Sequence, residues 1–206
     1  MAIEFRKIVT AFAGIILLLA LFSAVQPIHA TNCTFTTVGT TMELDEDCTT
    51  DVTILIPNGF TLDGNGHTIT AVDPEGNHFV GAVVKNQGET AHVKNLRVKV
   101  MNLADTCDDG VARLRGIMFE GASGSITNNV VMDINQGNSG CQEGNAIEVR
   151  NEPFDGTHPS TKTVMISGNT VTKYQKTGIL ANGDVYVIVT DNRGLLPNWR
   201  WHMVLP

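Results

Sequence analysis

At 206 residues and a formal net charge of −7, the chain has room for one domain of ordinary size. The acidic balance argues against nucleic acid as a partner, since a phosphate backbone selects a basic surface. None of the four cysteines sits in a Cys-x-x-Cys pair, which argues against zinc.

Met1 to Ala30 reads as a leader. Arg6 and Lys7 form a positive start, Ile8 to Val25 is apolar apart from Thr10, Gly14 and Ser23, and Ile28-His29-Ala30 offers a small-residue cleavage site. This is the order of a secretory signal peptide. An uncleaved membrane anchor is the alternative, the apolar run being just short of a span. Export places all four cysteines in an oxidising compartment, and their even number predicts two disulfides. The expected location is secreted or periplasmic, with no membrane contact once the leader is removed.

The rest of the chain repeats itself around asparagine. Ile126-Thr-Asn-Asn129-Val, Ile166-Ser-Gly-Asn169-Thr and Val189-Thr-Asp-Asn192-Arg share one pattern, and Val93-Lys-Asn95-Leu96 is a looser copy. Each is preceded by a short strand signal: Gly81 to Asn86, Gly116 to Gly121, Ala146 to Asn151 and Gly178 to Gly183. A period of this size predicts a stacked array of short strands, a parallel β-solenoid of about five rungs. The asparagines are expected at the corners, in left-handed backbone and bonded to the next rung.

Alternation assigns the faces. Ile117, Phe119, Ile147, Val149, Ile179 and Ala181 are expected inside; Met118, Glu120, Glu148, Arg150, Leu180 and Asn182 are expected outside. Loops are expected between Asn95 and Gly116, between Asn129 and Ala146, and over Glu152 to Thr161. Cys107-Asp-Asp-Gly and Cys141-Gln-Glu-Gly each begin twelve residues after a repeat asparagine, Asn95 and Asn129. Adjacent rungs lie about 4.8 Å apart, within reach of a disulfide. The spacing therefore predicts a Cys107–Cys141 bond across two loops, leaving Cys33 and Cys48 to close an N-terminal cap.

Ile54 to Val72, ILIPNGFTLDGNGHTITAV, is the most specific stretch. It resembles the opening rung of pectin-lyase-like right-handed parallel β-helix proteins, especially those with carbohydrate-binding and sugar-hydrolysis repeats. The resemblance covers about Cys48 to Asn192. It implies an all-β, single-stranded right-handed parallel β-helix over residues 31–192. It carries no catalytic residue, because the lyase signature sequences are absent and this superfamily hosts many activities. After Asn192 the repeat stops. Residues 193–206 hold both tryptophans and read as an aberrant tail, either an unusual cap or the product of a truncated or frameshifted reading frame.

Three constellations carry candidate chemistry. Asp109 and Glu143 follow the paired cysteines by two positions, with Asp108 and Asp105 nearby; carboxylates in register suggest a Ca²⁺ site, against two solvated acids. Lys85, Glu120, Arg150 and Asn182 are expected to share one outward column, either a salt-bridge ladder or a saccharide-binding strip. Asp155 and His158, in the third loop, are candidate acid and base groups, with Glu148 as partner in a two-carboxylate arrangement and Arg150 as a further catalytic candidate; the alternative is a Pro- and Gly-shaped surface loop. The leading expectation is a monomeric protein that recognises extracellular polysaccharide or cell-surface glycan on its outer face. A polysaccharide lyase or glycoside hydrolase is the alternative, with Ca²⁺ as candidate cofactor, and a structural or adhesive surface protein is the third. Loss of turnover in Glu148→Gln with the fold intact would single out the enzyme.

Overall fold

The computed structural model describes residues 31–136, 141–152 and 160–194. The leader, Asp155, His158 and residues 195–206 lie outside the described residues. What is described is all-β apart from one short 3₁₀ turn, Gly110–Ala112.

The strands come in threes. A hairpin, β1 (Phe35–Val38) and β2 (Thr41–Leu44), leads into β3 (Cys48–Thr50). Five triplets follow: β4 (Ile54–Ile56), β5 (Phe60–Asp63), β6 (Thr68–Ala71); β7 (Ala82–Asn86), β8 (Thr90–Lys94), β9 (Arg97–Val100); β10 (Arg115–Glu120), β11 (Ser123–Thr127), β12 (Val130–Met132); β13 (Asn145–Asn151), β14 (Lys162–Ser167), β15 (Thr170–Thr172); β16 (Thr177–Gly183), β17 (Val185–Thr190), β18 (Arg193–Gly194). Each triplet adds one strand to each of three sheets, ordered β1-β2-β5-β8-β11-β14-β17, β16-β13-β10-β7-β4 and β18-β15-β12-β9-β6-β3. All pairings are parallel except β1 with β2. The repeat therefore reaches Gly194, two residues past the expected limit, because Thr170 pairs with Arg193 and Val171 with Gly194.

Inward side chains stack in columns. Leu62, Val93, Ile126 and Ile166 form one, and Ile69, Val98, Val131 and Val171 another, all fully buried. Ile117, Phe119, Ile147 and Val149 are buried as alternation predicts. Burying each such side chain contributes about 1.5–3 kcal/mol against chain entropy, and only stacked neighbours make that burial possible. Ile179, in the last triplet, is only partly buried.

The corners refine the asparagine expectation. Asn95, Asn128, Gly168 and Asp191 occupy one register position, each following Lys94, Thr127, Ser167 or Thr190, and all have φ between 52° and 68°. The left-handed residue in the later repeats is thus the one before the repeat asparagine. Asn129, Asn169 and Asn192 come next and point their amides along the stack: Asn129 Nδ2 donates to Asn169 Oδ1 and Asn169 Nδ2 to Asn192 Oδ1, both at 2.9 Å. Asn95 does not join them; Leu96 holds that place, its N–H donating to Asn129 Oδ1 at 3.0 Å.

Both disulfides form as expected. Cys33–Cys48 fixes the segment before β1 to β3, with Cα atoms 5.0 Å apart, and Cys107–Cys141 joins two loops, with Cα atoms 5.4 Å apart. They fit an oxidising compartment. Among the described residues no helix is long and apolar enough to cross a membrane.

Candidate functional site

The five-stranded sheet, where most candidate residues lie, has its outer face closed at Met118 and Glu148, on β10 and β13. Glu120, Arg150 and Asn182 are in register, but Lys85 is not with them: its partners are Leu55 and Met118. Lys85 reaches Glu120 diagonally, Nζ to Oε2 at 2.7 Å. The expected exposure of Met118 and Glu148 fails, since they are 2% and 1% exposed. Arg115, itself 2% exposed, accounts for the cover over Glu148. Its Nε donates to Glu148 Oε2 at 2.6 Å, while its terminal nitrogens donate to the carbonyls of Gly110, Val111 and Arg113. The 3₁₀ turn is thereby tied back to the sheet.

Glu148 also accepts from Asn145 Nδ2 at 2.8 Å and Arg150 Nη1 at 3.2 Å. Burial pushes its carboxyl upward, but the Arg115 charge and hydrogen bond, then Asn145 and Arg150, hold it below the ordinary glutamate value. A glycosidase acid needs the opposite shift and access to substrate. Glu148 is a buried, ionised structural carboxylate, and Arg150 is bound to it and to the Glu152 carbonyl. Of the strip, Lys85 and Glu120 pair with each other and Arg150 pairs with Glu148.

The expected cation pair comes apart for a similar reason. Glu143 is 1% exposed, and its carboxylate accepts the backbone N–H groups of Asp108 and Leu114. Gln136, with its amide turned to satisfy its neighbours, adds a donor to Glu143 Oε2 at 3.0 Å. Asp109 turns outward to Arg113, 3.2 Å away. The described residues contain no group of three or more His, Cys, Asp or Glu side chains placed to hold a metal ion.

These contacts organise one corner of the stack. The loops 72–81, 101–114 and 133–144 all connect the six-stranded sheet to the five-stranded sheet. His78 Nε2 meets both Asp108 oxygens, at 3.0 and 3.1 Å, and Asp73 accepts from the N–H groups of Phe79 and Ala104. The loops are thus cross-linked by the His78–Asp108 contact, backbone hydrogen bonds and the Cys107–Cys141 bond.

At the base of this corner lies an open cleft of about 410 Å³. Lys99, Asn102, Asp133 and Asn135 supply its polar groups, and Val100, Met101 and Leu103 its apolar ones. Lys99 sits outward on β9, in register with Thr70 and Met132. Neither Lys99 nor Arg97, two residues earlier on the same face, has an ion-pair partner among the described residues. Asp133 pairs with Lys173 at 3.4 Å. Comparison with family models, curated proteins and solved structures finds no match. The cleft was missed in the sequence because its residues are ordinary surface types. The available signal was Val98-Lys99-Val100, where alternation puts one cation outward between two core valines.

Proposed function

We propose that the chain is a right-handed parallel β-helix of the pectin-lyase-like kind, exported, which holds an extracellular polysaccharide against the outer face of its six-stranded sheet. The cyclic three-sheet strand order supports the β-helix, and the rule that about 98% of parallel crossovers are right-handed supports its hand. The observation that carries the function is the open cleft around Lys99. Sugars present hydroxyls that need mixed donors and acceptors beside apolar ring faces that need small apolar contacts. Asn102, Asn135 and Asp133 beside Met101 and Leu103 offer both. Lys99 and Arg97, cations without an ion-pair partner among the described residues of an acidic chain, favour a carboxylated sugar over a neutral one. Binding is favoured over turnover because Glu148, the expected partner carboxylate, is buried and held ionised.

The test is titration calorimetry with neutral and acidic polysaccharides against the wild type, Lys99→Gln, Asn102→Ala and, as control, Lys85→Gln. Acidic glycan should bind, Lys99→Gln should weaken it several-fold, and Lys85→Gln should leave it unchanged. Equal effects of Lys99→Gln and Lys85→Gln, or binding to no glycan, would remove the cleft from this role.

A further inference from the structure

We infer that β17 is an interface strand, through which two copies of this chain pair edge to edge about a twofold axis at Val187. The inference stands apart from glycan binding, which it places on another sheet.

Among the described residues β17 is the outermost strand of the seven-stranded sheet, paired only with β14. Lys162 N–H donates to the Asp184 carbonyl and Gly168 N–H to the Thr190 carbonyl. Even-numbered residues therefore turn their backbone groups toward β14. Val185, Val187 and Val189 turn theirs to the free edge, because peptide groups alternate along a strand. Natural edge strands are usually guarded by lysine, proline, a bulge or short length. Val185-Tyr-Val-Ile-Val-Thr190 has six residues and none of these guards. The other edge of the sheet is β1, a four-residue strand beside the Cys33–Cys48 bond. Pairing β17 with β1 of a second copy would use fewer bonds and would leave edges open for growth. Pairing β17 with itself closes the assembly at two copies.

A twofold at Val187 makes the side chains complementary. Val187 faces its own copy, Val185 faces Val189, and Tyr186 faces Ile188. Tyr186 and Ile188 are 61% and 43% exposed on the outer face. Across the axis they form two aromatic–β-branched pairs of the kind that stabilises antiparallel strands. Val185, Val187 and Val189, on the core side, are only partly buried and would gain cover. Charge is also compatible. The flanking Asp184 falls opposite Thr190 and Asp191 opposite Gly183, so no carboxylate meets its own copy. The register comes from the sequence symmetry of the strand, and the partner is recognised by backbone hydrogen bonding, as in strand addition.

The experiment is multi-angle light scattering and sedimentation on the disulfide-bonded chain over a dilution series. A six-residue edge is at the small end of specific interfaces, so the wild type should run as a dimer that dissociates on dilution. Val187→Pro should be monomeric with an unchanged melting temperature, since the N–H it deletes points to the free edge and proline is tolerated there. Tyr186→Glu should also be monomeric, and adding Ile188→Lys to it should restore the dimer. A wild type that stays monomeric at about 1 mM, where even a millimolar complex is populated, would overturn the inference. So would a dimer that survives Val187→Pro, or assembly beyond two copies. A dimer that forms only when the chain is shortened to end at Gly194 would also overturn it, showing that the following residues cover β17.

Discussion

Asn129 and Asn169 lie forty positions apart and share one acceptor: Asn169 Oδ1 takes both the backbone N–H and the side-chain Nδ2 of Asn129, each at 2.9 Å. Asn169 Nδ2 in turn donates to the Ile126 carbonyl at 2.8 Å. One side chain thus satisfies three buried groups of the neighbouring triplet. Nothing apolar of that size can replace it.

Asn169→Ala should therefore cost far more than a surface change. Each buried group left without a partner costs about 1–3 kcal/mol, so a loss of about 4 kcal/mol is expected. Asn192→Ala, at the partly exposed end of the same ladder, should cost about 1 kcal/mol. Urea unfolding of the two variants checks this. Equal losses would mean that burial does not decide the value of the ladder.

How much of this was legible follows from what each signal encodes. The strand phase, the Cys107–Cys141 pairing and the core face of β10 and β13 came through, because a two-residue period reports directly which side of a sheet a residue takes. The same period says nothing about what covers that side. Met118 and Glu148 are outward in phase and still buried; at Glu148 it is Arg115, bound to a turn five residues upstream, that closes the face. Lys85 was misplaced because its pairing with Met118 depends on where β7 enters the sheet. That is set by the loop before it, whose length differs from triplet to triplet. The separation of Asp109 from Glu143 was invisible for another reason: the Glu143 carboxylate binds backbone N–H groups of the neighbouring loop, and sequence register carries no record of those.

The Glu148 cluster makes stability acid-sensitive. Burial raises this carboxyl, but Arg115, Asn145 and Arg150 outweigh it and hold it below its ordinary 4.5. A depressed native value contributes stability that is full above the unfolded value and is lost as pH falls through the native one. The melting temperature should be flat from neutral pH to about 5 and fall below that. Asp63 adds to the fall, its carboxyl lowered against burial by the Asn65 N–H, Lys94 and Asn95. Glu148→Gln should be less stable at neutral pH by about 3–5 kcal/mol, because Arg115 keeps a buried charge without its counter-ion. Its acid limb should be shallower than that of the wild type. Melting curves by circular dichroism from pH 7 to 3 check both; an unchanged acid limb would remove Glu148 as its source.

Gly124 is a sharper point of failure. It sits on β11 with φ +146°, and a Cβ there would lie 1.7 Å from the Ala91 carbonyl oxygen on β8. Neither strand can shift alone, since both are paired on their other edges. Gly124→Ala should cost more than about 4 kcal/mol, the range kept for strain and overpacking in a core, and should lower soluble yield. Gly39, where a Cβ meets nothing within 4 Å, is the matched control. Its φ is also positive, so Gly39→Ala isolates backbone strain from the clash and should cost about 1 kcal/mol.

The Cys107–Cys141 bond connects stability to the proposed site. It joins loops whose bases, Met101 to Leu103 and Asp133 to Asn135, are the walls of the cleft. Closing 34 residues restrains the unfolded chain by about 3–4 kcal/mol at most. Replacing both cysteines by serine should cost somewhat less than that, because the Glu143 carboxylate still accepts the Asp108 and Leu114 N–H groups across the same two loops. The effect on binding should exceed the effect on stability: loops free to separate must be ordered again when a sugar enters, which weakens affinity without removing any contact. Removing the Cys33–Cys48 bond instead should lower stability by about 3 kcal/mol and leave affinity unchanged, since that bond lies at the β1 end, away from the cleft. Calorimetric titration of the two double variants, beside their unfolding curves, separates these outcomes. Equal affinity in both would mean that the loops do not shape the site.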